Sequence, residues 1–95
     1  MNKPELVRKV DEKSNLKIIE SQVIVDAIFD TIQETLGNNE KVQIVGFGTF
    51  EVRERAERNG RNPATGETIV IPSTLVPAFK PGKELKDAVK SGSHE

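Results

Sequence analysis

Cysteine, tryptophan and tyrosine are absent from these 95 residues, and there are one methionine, one histidine and four phenylalanines. Without cysteine there can be no disulfide and no thiolate metal site, which fits a reducing compartment. The single histidine, His94, lies in the Ser/Gly-rich end SGSHE (91–95), which is expected to be a disordered tail or a non-native appendage. No serine has an evident base partner, and the carboxylates sit on helix surfaces or beside arginines, where salt pairing accounts for them. Metal-ligating residues do not cluster. No catalytic residue, cofactor or metal site is therefore assigned, and the chain is not expected to be an enzyme. Apolar runs are short as well: none approaches the roughly 18–20 residues that cross a bilayer. The opening MNKPELVRKV is too polar for a signal-peptide core, so a cytoplasmic protein is expected, with neither a membrane nor a small-molecule substrate as partner.

Apolar residues make up only 35% of the chain. One small domain fits this length, and a domain of this size is marginal alone. Either the fold is tight and helical, or a second copy of the chain completes the core.

Formal net charge is −1, but it is unevenly spread. Residues 1–50 carry six basic and eight acidic side chains, a net of −2. Residues 52–66 carry four Arg against two Glu, a net of +2, and residues 79–90 carry four Lys against Glu84 and Asp87, again +2. Fields act over about 8–10 Å at moderate salt, so segment charge matters more than the total.

Along the chain, Asn2 is placed to cap a first helix, with Pro4 in its first turn and Leu6, Val7 and Val10 at helical spacing. Residues 13–15 (KSN) break that pattern. A longer helix is predicted from about Ile18 to Leu36, closed by Gly37 with Asn38 and Asn39. Its apolar stripe (Ile24, Val25, Ile28, Phe29, Ile32, Leu36) covers roughly 140°, while Gln22, Asp26, Asp30 and Gln33 hold the opposite side. The stripe suits an ordinary core helix or one that also faces a second subunit.

After Gly37 the period changes to two. Val42 and Ile44 predict a strand, Gly46-Phe47-Gly48 a turn with Phe47 packed inward, and Phe50 and Val52 a second strand. The GFG tripeptide is not a dinucleotide-binding fingerprint, since neither a third glycine nor a helix follows; its amides could still touch a phosphate. Arg53 and Arg55 share one strand face, Arg58 and Arg61 follow, and NPATG (62–66) makes a turn. Ile69, Val70 and Ile71 resume a strand that Pro72 ends or kinks. This outlines a long hairpin over about 52–74 whose tip cannot bury itself against its own domain. It is either a solvated hairpin with incidental charge or a binding arm. FKPGKELKDAVK (79–90) predicts a helix entered through Pro81, with Leu85, Ala88 and Val89 on the buried side. Lys83, Lys86 and Lys90 lie within about 60° of one another on the wheel.

Arginines on an extended ribbon can reach phosphates or enter a narrow minor groove, where the potential is most negative. A proline at the ribbon tip can wedge between base pairs, at an unstacking cost of a few kcal/mol that added contacts offset. No aromatic interleaves the arm, which argues against a single-strand stacking platform. Nothing resembles a recognition helix, so sequence readout should be weak.

GFGTFEVRERAERNGRNPATGE (46–67), VPAFKPGKELKDAVK (76–90) and the opening MNKPEL resemble the bacterial HU/integration host factor family of histone-like DNA-binding proteins, most closely its HU branch. The resemblance covers residues 1–90. It implies an α+β fold: two N-terminal helices forming an intertwined homodimer body, a three-stranded antiparallel sheet with a long protruding β-hairpin arm, and a short C-terminal helix. It also implies DNA bending and condensation in the nucleoid, with double-stranded DNA, preferably bent, nicked or distorted, as partner. Carried over by position, Arg53, Arg55, Arg58, Arg61 and Asn62 match the arm contacts, Pro63 the tip wedge, and Lys3, Lys80, Lys83 and Lys86 the body contacts.

Four positions depart from the family pattern. Glu57 stands where a small residue is usual, Asn59 and Leu75 where lysine is usual, and Pro4 where a capping Thr is usual. Fewer positive charges predict weaker non-specific binding and a shallower salt dependence, about −0.9 per neutralised phosphate on duplex DNA. Pairing of Glu57 with Arg53 or Arg61 would compensate part of the arm's charge internally. Two other functions fit the same fold: a dimeric interaction module without most of the DNA affinity, and a site-specific bender of the integration host factor type.

Overall fold

The computed structural model describes residues 1–92. The order of elements is α1 (Lys3–Ser14), α2 (Ile18–Gly37), β1 (Val42–Ile44), β2 (Gly48–Arg55), β3 (Arg58–Arg61), β4 (Thr68–Ile71), β5 (Thr74–Pro81) and α3 (Lys83–Ser91). By internal packing the chain divides into two compact units, Met1–Thr35 and the residues from Leu36 on.

Helix boundaries in the first unit follow local chemistry. The Asn2 side chain accepts a hydrogen bond from the Glu5 N–H at 3.0 Å, and Pro4 occupies the first turn, where a missing N–H costs no helical bond. Asn15 ends α1 in the left-handed conformation, φ 58°, its N–H donating to the Asp11 carbonyl. The turn into α2 is braced by Glu20, whose carboxylate accepts from the Lys17 N–H at 3.3 Å. At its far end α2 departs from expectation. Gly37 stays helical, and the left-handed position falls on Asn39, φ 59°, whose N–H donates to the Leu36 carbonyl. Asparagine tolerates that conformation, so the chain turns two residues later than Gly37 implied.

Few side chains in this unit are buried. Val7 and Val25 are, together with Ser21, whose hydroxyl lies 3.4 Å from an Asp11 carboxylate oxygen. Much of the α2 stripe remains open: Ile24, Ile28 and Phe29 are each exposed by more than two-fifths. Asp26, on the side of α2 opposite the stripe, pairs with Lys3 at the start of α1.

In the second unit β2 is the central strand of a three-stranded antiparallel sheet ordered β1-β2-β5, and β3 and β4 form a separate two-stranded sheet. Pro77 and Pro81 lie in β5, an edge strand, where a missing N–H breaks no ladder on the outer side. Gly46, φ +85°, makes the turn between β1 and β2 with the Phe47 N–H donating to the Ile44 carbonyl. Phe47 is not packed inward as expected. It is 44% exposed, although its ring lies 5.5 Å from that of Phe79, which in turn lies 4.7 Å from Phe50. Helix α3 closes on Gly92, and Leu85 is half-buried. Ala88 and Val89, expected on the buried side, are exposed in the single chain. Ser91 ends α3, and the rest of the expected tail, His94 included, lies outside the described residues apart from Gly92.

The second glycine of GFG has a steric reason. A Cβ on Gly48 would stand 2.5 Å from the Phe79 ring and 2.7 Å from the Lys80 carbonyl oxygen, so only glycine lets β2 and β5 close under the aromatic cluster. Gly48→Ala should therefore destabilise the protein by about 1–3 kcal/mol, as overpacking against backbone does. Gly37→Ala, where nothing lies within 4 Å, should be neutral or stabilising by up to about 1 kcal/mol. Urea midpoints of the two variants check both.

Candidate nucleic-acid interface

One hairpin carries most of the candidate residues, and its register decides which of them act together. Strands β2 and β5 pair from Gly48↔Pro81 to Arg55↔Thr74, and β3 and β4 pair from Arg58↔Ile71 to Arg61↔Thr68. Between the two ladders each strand advances by the same three residues. The break at residues 56–57 and 72–73, where Pro72 has no N–H to donate, therefore inserts no bulge.

Alternation then sorts the side chains. Near the root, Arg53 and Arg55 share a face with Lys80, which is opposite Thr49. The other face carries the Phe50–Phe79 pair, Val52 and, opposite Glu54, Leu75. Leu75 thus points away from the arginines rather than standing among them. In the distal ribbon Arg61 and Asn59 lie on one face with Thr68 and Val70, while Arg58 lies on the other with Gly60, Ile69 and Ile71. Arg58 and Arg61 therefore do not form one cluster, although they follow one another in sequence.

The tip is built by its own hydrogen bonds. The Asn62 carboxamide oxygen accepts from the Ala64 N–H at 2.9 Å, an Asx turn that bridges Pro63. The Asn62 N–H donates to the Glu67 carbonyl at 2.8 Å, and the Gly66 N–H donates to the Asn62 carbonyl at 2.7 Å. Gly66 takes φ +75°, which a side chain would resist. Asn62 is half-buried in this arrangement and Pro63 is exposed at its apex. The carboxamide oxygen of Asn62 thus holds the turn, and its NH₂ group is the part suited to an outside acceptor.

Charges near the ribbon are partly compensated. The Arg53 guanidinium lies 3.4 Å from the carboxylate of Glu51, two residues back on the same face. Glu51 is thus the partner of Arg53, in place of the Glu57 pairing that the sequence allowed. On α3, Lys83 pairs with Asp87 one turn on, at 2.7 Å. Lys86 and Lys80 belong to the same unit as the arm, whereas Lys3 belongs to the N-terminal unit, where it meets Asp26. The hydrogen bond to Asp26 and its negative charge, with a smaller contribution from Asp30, raise the pKa of Lys3 above the ordinary lysine value.

Three features of this surface were not read from the sequence: the division of the distal arginines between faces, the Arg53–Glu51 pair, and the seating of Ile71 over Gly60, where a Cβ would stand 2.7 Å from the isoleucine δ-carbon. Counting residues outward from the closing pair Arg61↔Thr68 would have yielded the first. The others depend on side-chain placement. Among the described residues no group of three or more His, Asp or Glu side chains is arranged to hold a metal, and no helix is long and apolar enough to cross a membrane.

Comparison with known proteins gives the chain a family and relatives. The family model for "Bacterial DNA-binding protein" matches residues 1–90. The chain is 60% identical over 90 residues to DNA-binding protein HU of Geobacillus stearothermophilus, covering 95% of this chain and all of that one. It is 62% identical over 91 residues to the SPbeta prophage-derived DNA-binding protein HU 2 of Bacillus subtilis, covering 96% and 99% of the two chains. Among solved structures it superposes on a cocrystal structure of Anabaena HU with DNA at a TM-score of 0.88, with 44% identity over 97% of this chain and all of that one.

The Lys3–Asp26 pair has a defined pH signature. A lysine whose folded pKa is raised contributes stability that is fully present below its unfolded value, near 10.5, and is lost as pH rises through the folded value. Asp26→Asn should cost stability at pH 9 and cost less above pH 11, so the gap between parent and variant narrows across that window. Lys3 is exposed, so the gap is small. Denaturant midpoints of the two proteins at the two pH values measure it.

Proposed function

The chain belongs to the bacterial DNA-binding protein family and is a DNA-binding architectural protein of the HU type, and we propose that it bends duplex DNA with little regard to sequence. Residues 1–90 act as one DNA-binding module in the bacterial nucleoid. The observation that carries this is the arm: a single-register ribbon bearing Lys80, Arg53, Arg55 and Arg61, ending in an exposed Pro63 held by the Asx turn of Asn62. In this proposal the arm lies along the minor groove, where arginine meets the most negative potential. Pro63 enters a base step; it is rigid and apolar and has no N–H to leave unsatisfied. Arg58 and the NH₂ of Asn62 add contacts along the arm, while Lys3, Lys83 and Lys86 hold phosphates of the flanking duplex. Lys3 and Lys83 exchange their carboxylate partners, Asp26 and Asp87, for those phosphates.

The working form is a homodimer. Its support is the open apolar surface of α2: Ile24, Ile28 and Phe29 are solvent-facing in one chain, and Val7 and Val25 are the buried apolar residues among those described. So small a core does not hold a domain of this length, and a patch of that kind marks an interface.

Net charge of −1 and the Arg53–Glu51 pair support weaker non-specific binding than a fully basic arm would give. Distorted duplexes should then be favoured, because part of their deformation is already met. Titrating a nicked duplex at two salt concentrations should show binding at low salt that falls as salt rises; absence of binding, or salt independence, contradicts the proposal. In the same assay Arg61→Ala should lower the slope by about 0.9 for each phosphate that is no longer neutralised. Arg53→Ala should lower it less, because Glu51 already partners that charge, and Glu51→Gln should tighten binding. Pro63→Ala should reduce bending, read by energy transfer between duplex ends, with little loss of affinity at high protein concentration. Equal bending by parent and variant would contradict the wedge.

A further inference from the structure

The distal ribbon carries an apolar strip that neither the arginines nor the proline uses. On the Arg58 face, Ile71 reaches across the ladder to Gly60: a Cβ on Gly60 would stand 2.7 Å from the Ile71 δ-carbon and 3.3 Å from its γ1-carbon. Ile69, directly opposite Gly60, would be in ordinary contact with the same Cβ, its γ1-carbon at 3.7 Å. The missing side chain makes room for Ile71 beside Ile69, so this face carries an apolar patch with Arg58 at its root end. Ile69 is 42% exposed and Ile71 half-buried. The ribbon is only two strands wide, a form that is marginal by itself in water. Ile69 keeps apolar area in water on it that a partner could cover.

We propose that the Gly60–Ile69–Ile71 strip is a second contact surface for duplex DNA, seated against the deoxyribose C–H groups of the minor-groove wall. This rests on the DNA-binding reading of the arm and deepens it. The occupant follows from charge: arginine stands on both faces of the ribbon, Arg61 on one and Arg58 on the other, so phosphates are expected on both sides of it at once. A groove has two walls, and a ribbon lying in it presents one face to each. The strip is also continuous with the arginine-bearing arm, so the same duplex covers both surfaces. Contact with sugars removes apolar area from water and releases no counterions, so its share of the affinity is insensitive to salt. A chain poor in net positive charge gains affinity in this way without further arginines.

The test is a double variant, Ile69→Thr with Ile71→Thr, which keeps the β-branched shape that strands favour. Titrated against a nicked duplex over a range of salt, it should bind roughly tenfold more weakly than the parent at every concentration, with an unchanged slope. Arg58→Ala, as a contrast, should lower the slope by about 0.9 for each phosphate left without its arginine. Trypsin cleavage after Arg58 and Arg61 in the free proteins reports whether the ribbon is intact and should proceed at the parent's rate. Undiminished affinity, a changed slope, or faster cleavage of the double variant would each overturn the proposal. Failure of the parent itself to bind would instead remove the DNA-binding reading on which the proposal stands.

Discussion

Between Arg55↔Thr74 and Arg58↔Ile71 both strands of the hairpin move forward by three residues, and most of what the arm can do depends on that equality. A one-residue slip in a ladder with period two would turn every side chain to the other face. With the register kept, Lys80, Arg53 and Arg55 stay opposite the Phe50–Phe79 cluster at the root. Two forces fix it. At the root, Gly48 admits the Phe79 ring, and a strand shifted by one residue would bring Thr49 there instead. At the tip, the Asn62 and Gly66 hydrogen bonds set the closing pair Arg61↔Thr68. The break in between, beside Pro72, leaves the ladder unpaired for two residues per strand without changing the count.

The arm is therefore ordered from both ends and weakest in its middle. Its distal part has only its own two strands to bury against, and there Ile71 lies over Gly60 and leaves Ile69 partly exposed. The same shortage of internal partners recurs on α2, where Ile24, Ile28 and Phe29 face water in one chain. In both places apolar surface is left for another molecule to cover. The arginine-bearing ribbon suits a polyanion, and the uncharged helix stripe suits a second copy of itself.

Electrostatics modulates this arrangement without creating it. Arg53, Lys83 and Lys3 each have a carboxylate nearby, from Glu51, Asp87 and Asp26. Such exposed pairs contribute little to stability. They do lower the positive charge that a phosphate meets, and they are cheap to break, so a partner of higher charge density can displace the carboxylate.

Much of the fold was legible in the residues. Asn2 and Pro4 announced α1, the apolar period announced α2, and the Asn-Pro-x-x-Gly turn announced the hairpin, because caps and turns are local chemistry acting over three to five residues. The GFGTFEVRERAERNGRNPATGE run carried the family, and the comparisons bear that out. The left-handed position at Asn39 in place of Gly37, the pairing of Asp26 with Lys3, and the exposure of Phe47, Ala88 and Val89 were not legible. The separation of Arg58 from Arg61 was legible in their odd spacing once both were placed on one strand. The Asp26 pairing and the exposures depend on which distant residue arrives opposite, and only the paired strands and packed helices decide that; the choice of Asn39 over Gly37 is local, but both residues were candidates. The sequence alone determined which charges and apolar groups this protein carries and in what order. The tertiary structure decided which of them share a face, because strand register and side-chain packing are relations between residues far apart in the chain.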